Sequence, residues 1–150
     1  MPAAPLTDAL TLCLSLTRAN AVLTNRLGRS LSSRHGLGFQ DFSILYYLSR
    51  APGQRLRRID LAHRLELTPS GVTRSLLPLE KRGLVEREAH PDDARAAYAS
   101  LSKNGRRSLA DALVTAQQVS AECFVGVPGA HADALRAALG RLAGINLSNT

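Results

Sequence analysis

The chain has 150 residues, 45% hydrophobic and 21% charged, which suits one domain with an ordinary core and excludes wholesale disorder. Nineteen Lys and Arg against twelve Asp and Glu leave a formal charge of +7, which favours a polyanion as partner. No run approaches the ~18 apolar residues of a membrane span, the N-terminus lacks the basic region of a secretory signal, and two cysteines, Cys13 and Cys123, make no disulfide framework, so the expectation is a protein of the reducing cytoplasm without a membrane partner.

Over residues 6–34, Leu16, Ala19, Leu23, Leu27 and Leu31 recur at helical spacing, which predicts a long amphipathic helix ended by the segment Arg34-His35-Gly36-Leu37-Gly38, with glycine supplying the C-cap conformation. A second helix is expected over 39–50, stopped by Ala51-Pro52-Gly53, and a short third over 57–65. Thr68-Pro69-Ser70 then opens a fourth, with Thr68 as N-cap and Pro69 at the first helical position, running to about Arg82 before Gly83. The period next changes to that of strands at 84–88 and 95–101, with turn-rich 89–94 between them, which predicts a hairpin with a longish loop. Ser102 caps another long helix carrying Leu109, Leu113, Ala116, Val119 and Cys123. Gly126-Val127-Pro128-Gly129 breaks it, and Leu135, Leu139, Leu142 and Ile145 mark a last helix. The fold class is mainly α with a small β-hairpin wing, a winged helix-turn-helix between long terminal helices. Its regions are 1–36 and 103–150 for the terminal helices and 37–102 for the winged part, in one domain overall.

The positive charge is concentrated: residues 55–107 carry a net +5, against +3 for 1–54 and −1 for 108–150. Within that middle segment, Val72, Leu76 and Leu79 fall on the inner side of the fourth helix. Ser70, Arg74 and Lys81 fall on the outer side with Thr73 at its flank. Small hydroxyls near a helix N-terminus let the backbone come close to a duplex, an arginine can take guanine O6 and N7 together, and the helix end itself favours a phosphate. In the hairpin loop Asp92-Asp93-Ala94-Arg95, the guanidinium of Arg95 suits a narrow minor groove, and Asp93 would orient it.

Three segments together carry a resemblance: Leu61-Ala62-His63-Arg64-Leu65, Thr68-Pro69-Ser70-Gly71-Val72-Thr73-Arg74 and Leu79-Glu80-Lys81-Arg82-Gly83-Leu84-Val85-Glu86-Arg87. With Asp93-Ala94-Arg95 and Leu101-Ser102-Lys103-Asn104-Gly105, they resemble the multiple-antibiotic-resistance regulator (MarR) family over about residues 39–110. The resemblance implies an obligate homodimer joined by its terminal helices, with one winged helix on each half of a palindromic operator in double-stranded DNA. It implies base reading by Ser70, Thr73 and Arg74, a minor-groove role for Arg95, and repression relieved by a small molecule or an oxidant. The candidate DNA contacts are Arg57, Thr68, Ser70, Thr73, Arg74, Lys81 and Arg95, with Asp93 orienting. Two recognition helices would lie about one duplex turn apart, roughly 34 Å. Three positions depart from the family pattern. Leu77 and Pro78 stand where polar helix formers are usual, and Pro78 predicts a kink. Glu66 replaces the usual turn glycine, which puts the left-handed geometry of that turn in question.

Phe42, Tyr46 and Tyr47 are candidates to line a pocket against the first and fifth helices, which the resemblance implies for an aromatic or phenolic effector with Arg18 or His35 as anion partners; the alternative is plain core packing. Cys13 is the candidate for oxidant sensing, but with no basic neighbour within one turn it reads as a core thiol, as does Cys123. His35, His63, His90 and His131 are scattered and predict no metal site, and no nucleophile or phosphate-loop pattern predicts an enzyme or a cofactor. The competing readings are an activator or architectural DNA binder without effector, and a winged helix that docks protein rather than DNA.

Overall fold

Six helices and three short strands make up the chain in a computed structural model that describes residues 8–89 and 97–144. Helix α1 (Asp8–His35) ends where Gly36 adopts φ +63°, which lets its N–H reach Ser32 O at 3.0 Å and the Leu37 N–H reach Leu31 O. Helix α2 (Phe39–Arg50) begins with the Gly38 N–H donating to Asp41 Oδ2 at 3.0 Å, which satisfies a backbone donor left free by the helix start. A 3₁₀ turn, Pro52–Gln54, leads into strand β1 (Arg55–Arg57), and α3 (Arg58–Leu65) follows directly.

After α3 come α4 (Pro69–Lys81), strands β2 (Val85–Ala89) and β3 (Ala97–Leu101), α5 (Lys103–Cys123) and α6 (Gly129–Leu142). The expected hairpin is present but is part of a three-stranded antiparallel sheet in the order β1-β3-β2, with Leu56 opposite Ala99 and Val85 opposite Leu101. Strand β1 escaped the sequence reading because it is three residues long with one buried side chain, Leu56, too short to display an alternation.

Leu31 of α1, Ile44, Leu45 and Leu48 of α2, Leu61 of α3, and Val72, Leu76 and Leu79 of α4 are fully buried in one core. Each such side chain contributes about 1.5–3 kcal/mol relative to exposure. The start of α5 is fastened to the end of α4 and to β2 through a single serine. Ser102 Oγ accepts from the Gly105 N–H (2.9 Å) and donates to Gly83 O (2.7 Å), while the Ser102 N–H donates to Leu84 O (3.2 Å). Gly105 itself must be glycine, since a Cβ there would stand 2.0 Å from Leu84 O and 2.8 Å from Leu101 Cδ1.

The apolar stripe expected along α1 divides. Leu31 is core and Leu23 and Leu27 are half-buried, whereas Leu16 and Ala19 are exposed, as is every residue from 8 to 22. Cys13 lies on this uncovered length, so the expectation of a core thiol is corrected: it is exposed because none of the described residues covers the first turns of α1. Cys123 is half-buried on α5. Exposed apolar side chains continue at the other end of the chain, with Val125 in the link between α5 and α6 and Leu135, Leu139 and Leu142 on α6. Among the described residues no helix is long and apolar enough to cross a membrane.

Candidate nucleic-acid interface

Helices α3 and α4 are joined by a turn at Glu66 and Leu67. Glu66 has φ 51° and ψ 43°, so the left-handed turn that its identity put in question is kept. Two features hold it there. The Leu67 N–H donates to Ala62 O at 2.9 Å, and the Leu67 side chain lies against the core. A non-glycine residue in this conformation costs roughly 1–2 kcal/mol.

At the start of α4 the Thr68 Oγ1 accepts from the Gly71 N–H at 3.1 Å and lies 3.2 Å from Ser70 Oγ. Val72, Leu76 and Leu79 turn inward and are buried, which leaves Ser70, Thr73, Arg74, Leu77 and Lys81 exposed on the outer side. The Thr73 hydroxyl donates back to Pro69 O at 3.1 Å, so its remaining capacity toward solvent is as an acceptor. Arg74 makes no ion pair among the described residues, in contrast to Arg57 at the end of β1 and Arg58 of α3. The helix runs on through Pro78 to Lys81; proline withholds the N–H that Arg74 O would otherwise accept, and Arg82 N–H donates to Pro78 O at 3.1 Å.

The pose of α4 is set by three polar links. Arg58 of α3 pairs with Glu80 of α4, both side chains mostly buried (15% and 22% exposed), although the buried Arg58 Nε finds no partner among the described residues. Ser75 Oγ donates to Gly71 O at 2.9 Å and accepts from Gln40 Nε2 of α2 at 2.5 Å. Arg82 donates to Gly36 O at 2.9 Å, tying the end of α4 to the α1–α2 corner. None of these links was foreseen from the sequence, because each joins side chains distant along the chain and no periodic pattern marks them.

Arg57, a candidate DNA contact, is held in a forked pair with Asp60, at 2.7 Å (Nε–Oδ2) and 2.9 Å (Nη2–Oδ1). The hydrogen bonds from Arg57 hold the Asp60 carboxyl below its usual range, and Asp60 raises the Arg57 guanidinium in turn. Arg95 and Asp93 lie outside the described residues. At the base of the wing, Arg55 sits 5.3 Å from the Tyr98 ring centroid and 3.4 Å from Glu88 Oε2, a clasp across β1, β3 and β2.

The proposed effector-pocket residues are not all brought together. Phe42 is buried between Phe39 and Tyr46, with ring centroids at 6.4 and 6.3 Å, and Tyr46 is 40% exposed at the end of this ladder. His35 Nε2 lies 2.7 Å from Thr115 Oγ1 of α5. Arg18 stands roughly 25 Å from His35 along α1 at 1.5 Å per residue, in a different groove lined by Val22, Cys123, Phe124 and Leu135. Among the described residues no group of three His, Cys, Asp or Glu could hold a metal.

A sequence model of the MarR family matches residues 35–96. The chain is 35% identical over 78 residues to YkoM of Bacillus subtilis (strain 168), an uncharacterized HTH-type transcriptional regulator. That match spans 52% of this chain and 49% of YkoM, so the chain covers about half the length of this curated relative. Similarity to solved structures runs through almost the whole chain. A MarR family transcriptional regulator from Streptomyces coelicolor, crystallised in complex with DNA, has a TM-score of 0.84 at 26% identity, covering 93% of this chain and 92% of its own. AbsC, a MarR family transcriptional regulator of the same organism, has a TM-score of 0.83 at 26% identity, covering 94% and 96%.

Proposed function

The chain belongs to the MarR family of winged-helix transcriptional regulators, and from that premise we propose that it is a homodimeric, sequence-specific repressor that binds a palindromic operator in double-stranded DNA. The observation that carries this reading is the outer side of α4, where Ser70, Thr73, Arg74 and Lys81 stand exposed while Val72, Leu76 and Leu79 are buried beneath them. Thr68 caps the helix whose N-terminus approaches a phosphate. Arg57 is presented to the backbone already oriented by Asp60, and Arg95, steadied by Asp93, reaches the minor groove from the wing. Residues 1–36 and 103–150 join the two subunits, and 37–102 carries the reading head.

The test is binding to the protein's own promoter fragment across a salt series. A groove-binding dimer loses affinity by about 0.9 log unit per phosphate contact for each log unit of salt. Absence of duplex binding even at low salt would replace the reading with a protein-docking winged helix.

Release is assigned to a small aromatic effector seated against the exposed edge of Tyr46, supported by the Phe39–Phe42–Tyr46 ladder along α2. One observation favours a second trigger: Cys13 is exposed on α1 of the single subunit, so its oxidation would act on the helix assigned to the subunit junction. Peroxide that releases operator from the wild type but not from Cys13→Ser supports the thiol trigger; peroxide without effect on the wild type removes it.

A further inference from the structure

The outward side of α4 carries one residue that the polar reading of this helix leaves unused. At roughly 100° per residue, Leu77 falls in line with Ser70, Arg74 and Lys81, opposite the buried Val72, Leu76 and Leu79. The structure agrees, leaving Leu77 46% exposed. A branched apolar side chain between two cations, on the helix face assigned to DNA, has no role in the core and none in phosphate binding. What it can recognise chemically is the apolar group that the major groove displays, the C5-methyl of thymine.

We propose that Leu77 is a specificity-determining residue that reads a thymine methyl in each operator half-site, two helical turns beyond the contacts of Ser70. This inference rests on the reading of α4 as the DNA-recognition helix. Leu77 lies about 10 Å along the axis from Ser70 at 1.5 Å per residue and on the same side of the helix, so a helix lying along the major groove turns both toward base edges. Pro78, next to it, is also exposed and apolar, so this turn of the helix presents hydrocarbon where the first turn presents hydroxyls. The chain thus reads polar base edges with one end of α4 and a methyl with the other.

The experiment begins with duplexes selected by the wild-type protein from a randomised pool. Each thymine of the selected site is then replaced by deoxyuridine, which removes the methyl and leaves every hydrogen bond. The wild type is expected to lose about fourfold in affinity at one symmetry-related pair of thymines for each half-site methyl lost, the equivalent of one buried methyl group. Leu77→Ala should bind the thymine and deoxyuridine duplexes equally at that pair while keeping the wild-type response elsewhere. Its salt slope should be unchanged, because no charge is altered. Because Leu77 is exposed and alanine is the better helix former, the variant should fold, which circular dichroism checks. A wild type indifferent to deoxyuridine at every position overturns the proposal, as does discrimination that survives in Leu77→Ala. A pool that yields no selected duplex instead overturns the reading of α4 as a recognition helix.

Discussion

Arg74, Arg57 and Arg58 are three arginines within one helix-turn-helix, and their surroundings divide them by role. Arg58 is mostly buried and committed to Glu80, Arg57 is exposed but forked onto Asp60, and Arg74 is exposed without an ion pair among the described residues. Only the last keeps its whole donor fork for a base. Arg74→Ala is therefore expected to weaken the selected site by ~1–3 kcal/mol and relax base preference at one position per half-site. Equal weakening on selected and random duplexes in a competition assay would reassign it to the backbone. At Asp60 the depressed carboxyl has a consequence for stability. Its contribution is present above the unfolded-state carboxylate pKa and is lost as pH falls through the lower folded value. Both groups are more than a third exposed, so the contribution is small and screened by salt. Asp60→Asn should flatten that acid-side loss in thermal melts taken across pH. Glu66 offers the reverse case, a residue whose conformation opposes its chemistry. Glu66→Gly should raise stability by about 0.5–1 kcal/mol in urea denaturation, the relief of the left-handed strain less the entropy of a freer unfolded chain. No gain would mean that the Glu66 side chain supplies a compensating contact.

At the scale of elements, the decisive junction is between the wing and α5. Ser102 and Gly105 let the first turn of α5 lie directly on the Leu84 carbonyl, which couples the sheet to the long C-terminal helix. Gly105→Ala should cost about 3 kcal/mol or more, because its Cβ meets backbone that cannot move without displacing β2. A melting temperature within a degree of wild type would show that the junction yields more easily than its geometry implies. The helices were legible because each presents a long apolar period and a recognisable start or stop, as with Thr68-Pro69 and Ser102. Strand β1 was not, since Arg55–Arg57 becomes a strand only by pairing with β3, and nothing within three residues records that.

For the whole molecule, the apolar residues left uncovered are concentrated on α1, α5 and α6, with Leu12 at 69%, Val114 at 67% and Leu142 at 71% exposed. Apolar side chains clustered on the end helices in this way mark an interaction surface, which supports the proposed symmetric dimer. Leu12→Lys is expected to shift the protein from dimer to monomer in sedimentation. It should reduce operator affinity far more than affinity for random duplex, since two half-sites can no longer be engaged together. A wild-type protein that sediments as a monomer at the concentration where it binds its operator would sink the dimer. Arg18 belongs to this scale as well. Its separation from His35 along α1 assigns it to the groove beside Cys123 rather than to the aromatic ladder.

Local order along the chain was written in the sequence, because capping, glycine stops and apolar period act within a few residues. That much determined the helices, the inner and outer sides of α4, and the excess of positive charge around it. Tertiary structure decided the rest. It fixed Glu66 in a left-handed turn, paired Arg57 with Asp60 and Arg58 with Glu80, recruited β1 into the sheet and left Cys13 bare. Each of these depends on groups distant in the chain meeting at a few ångströms, where hydrogen bonds, burial and steric contact act and where linear spacing carries no information.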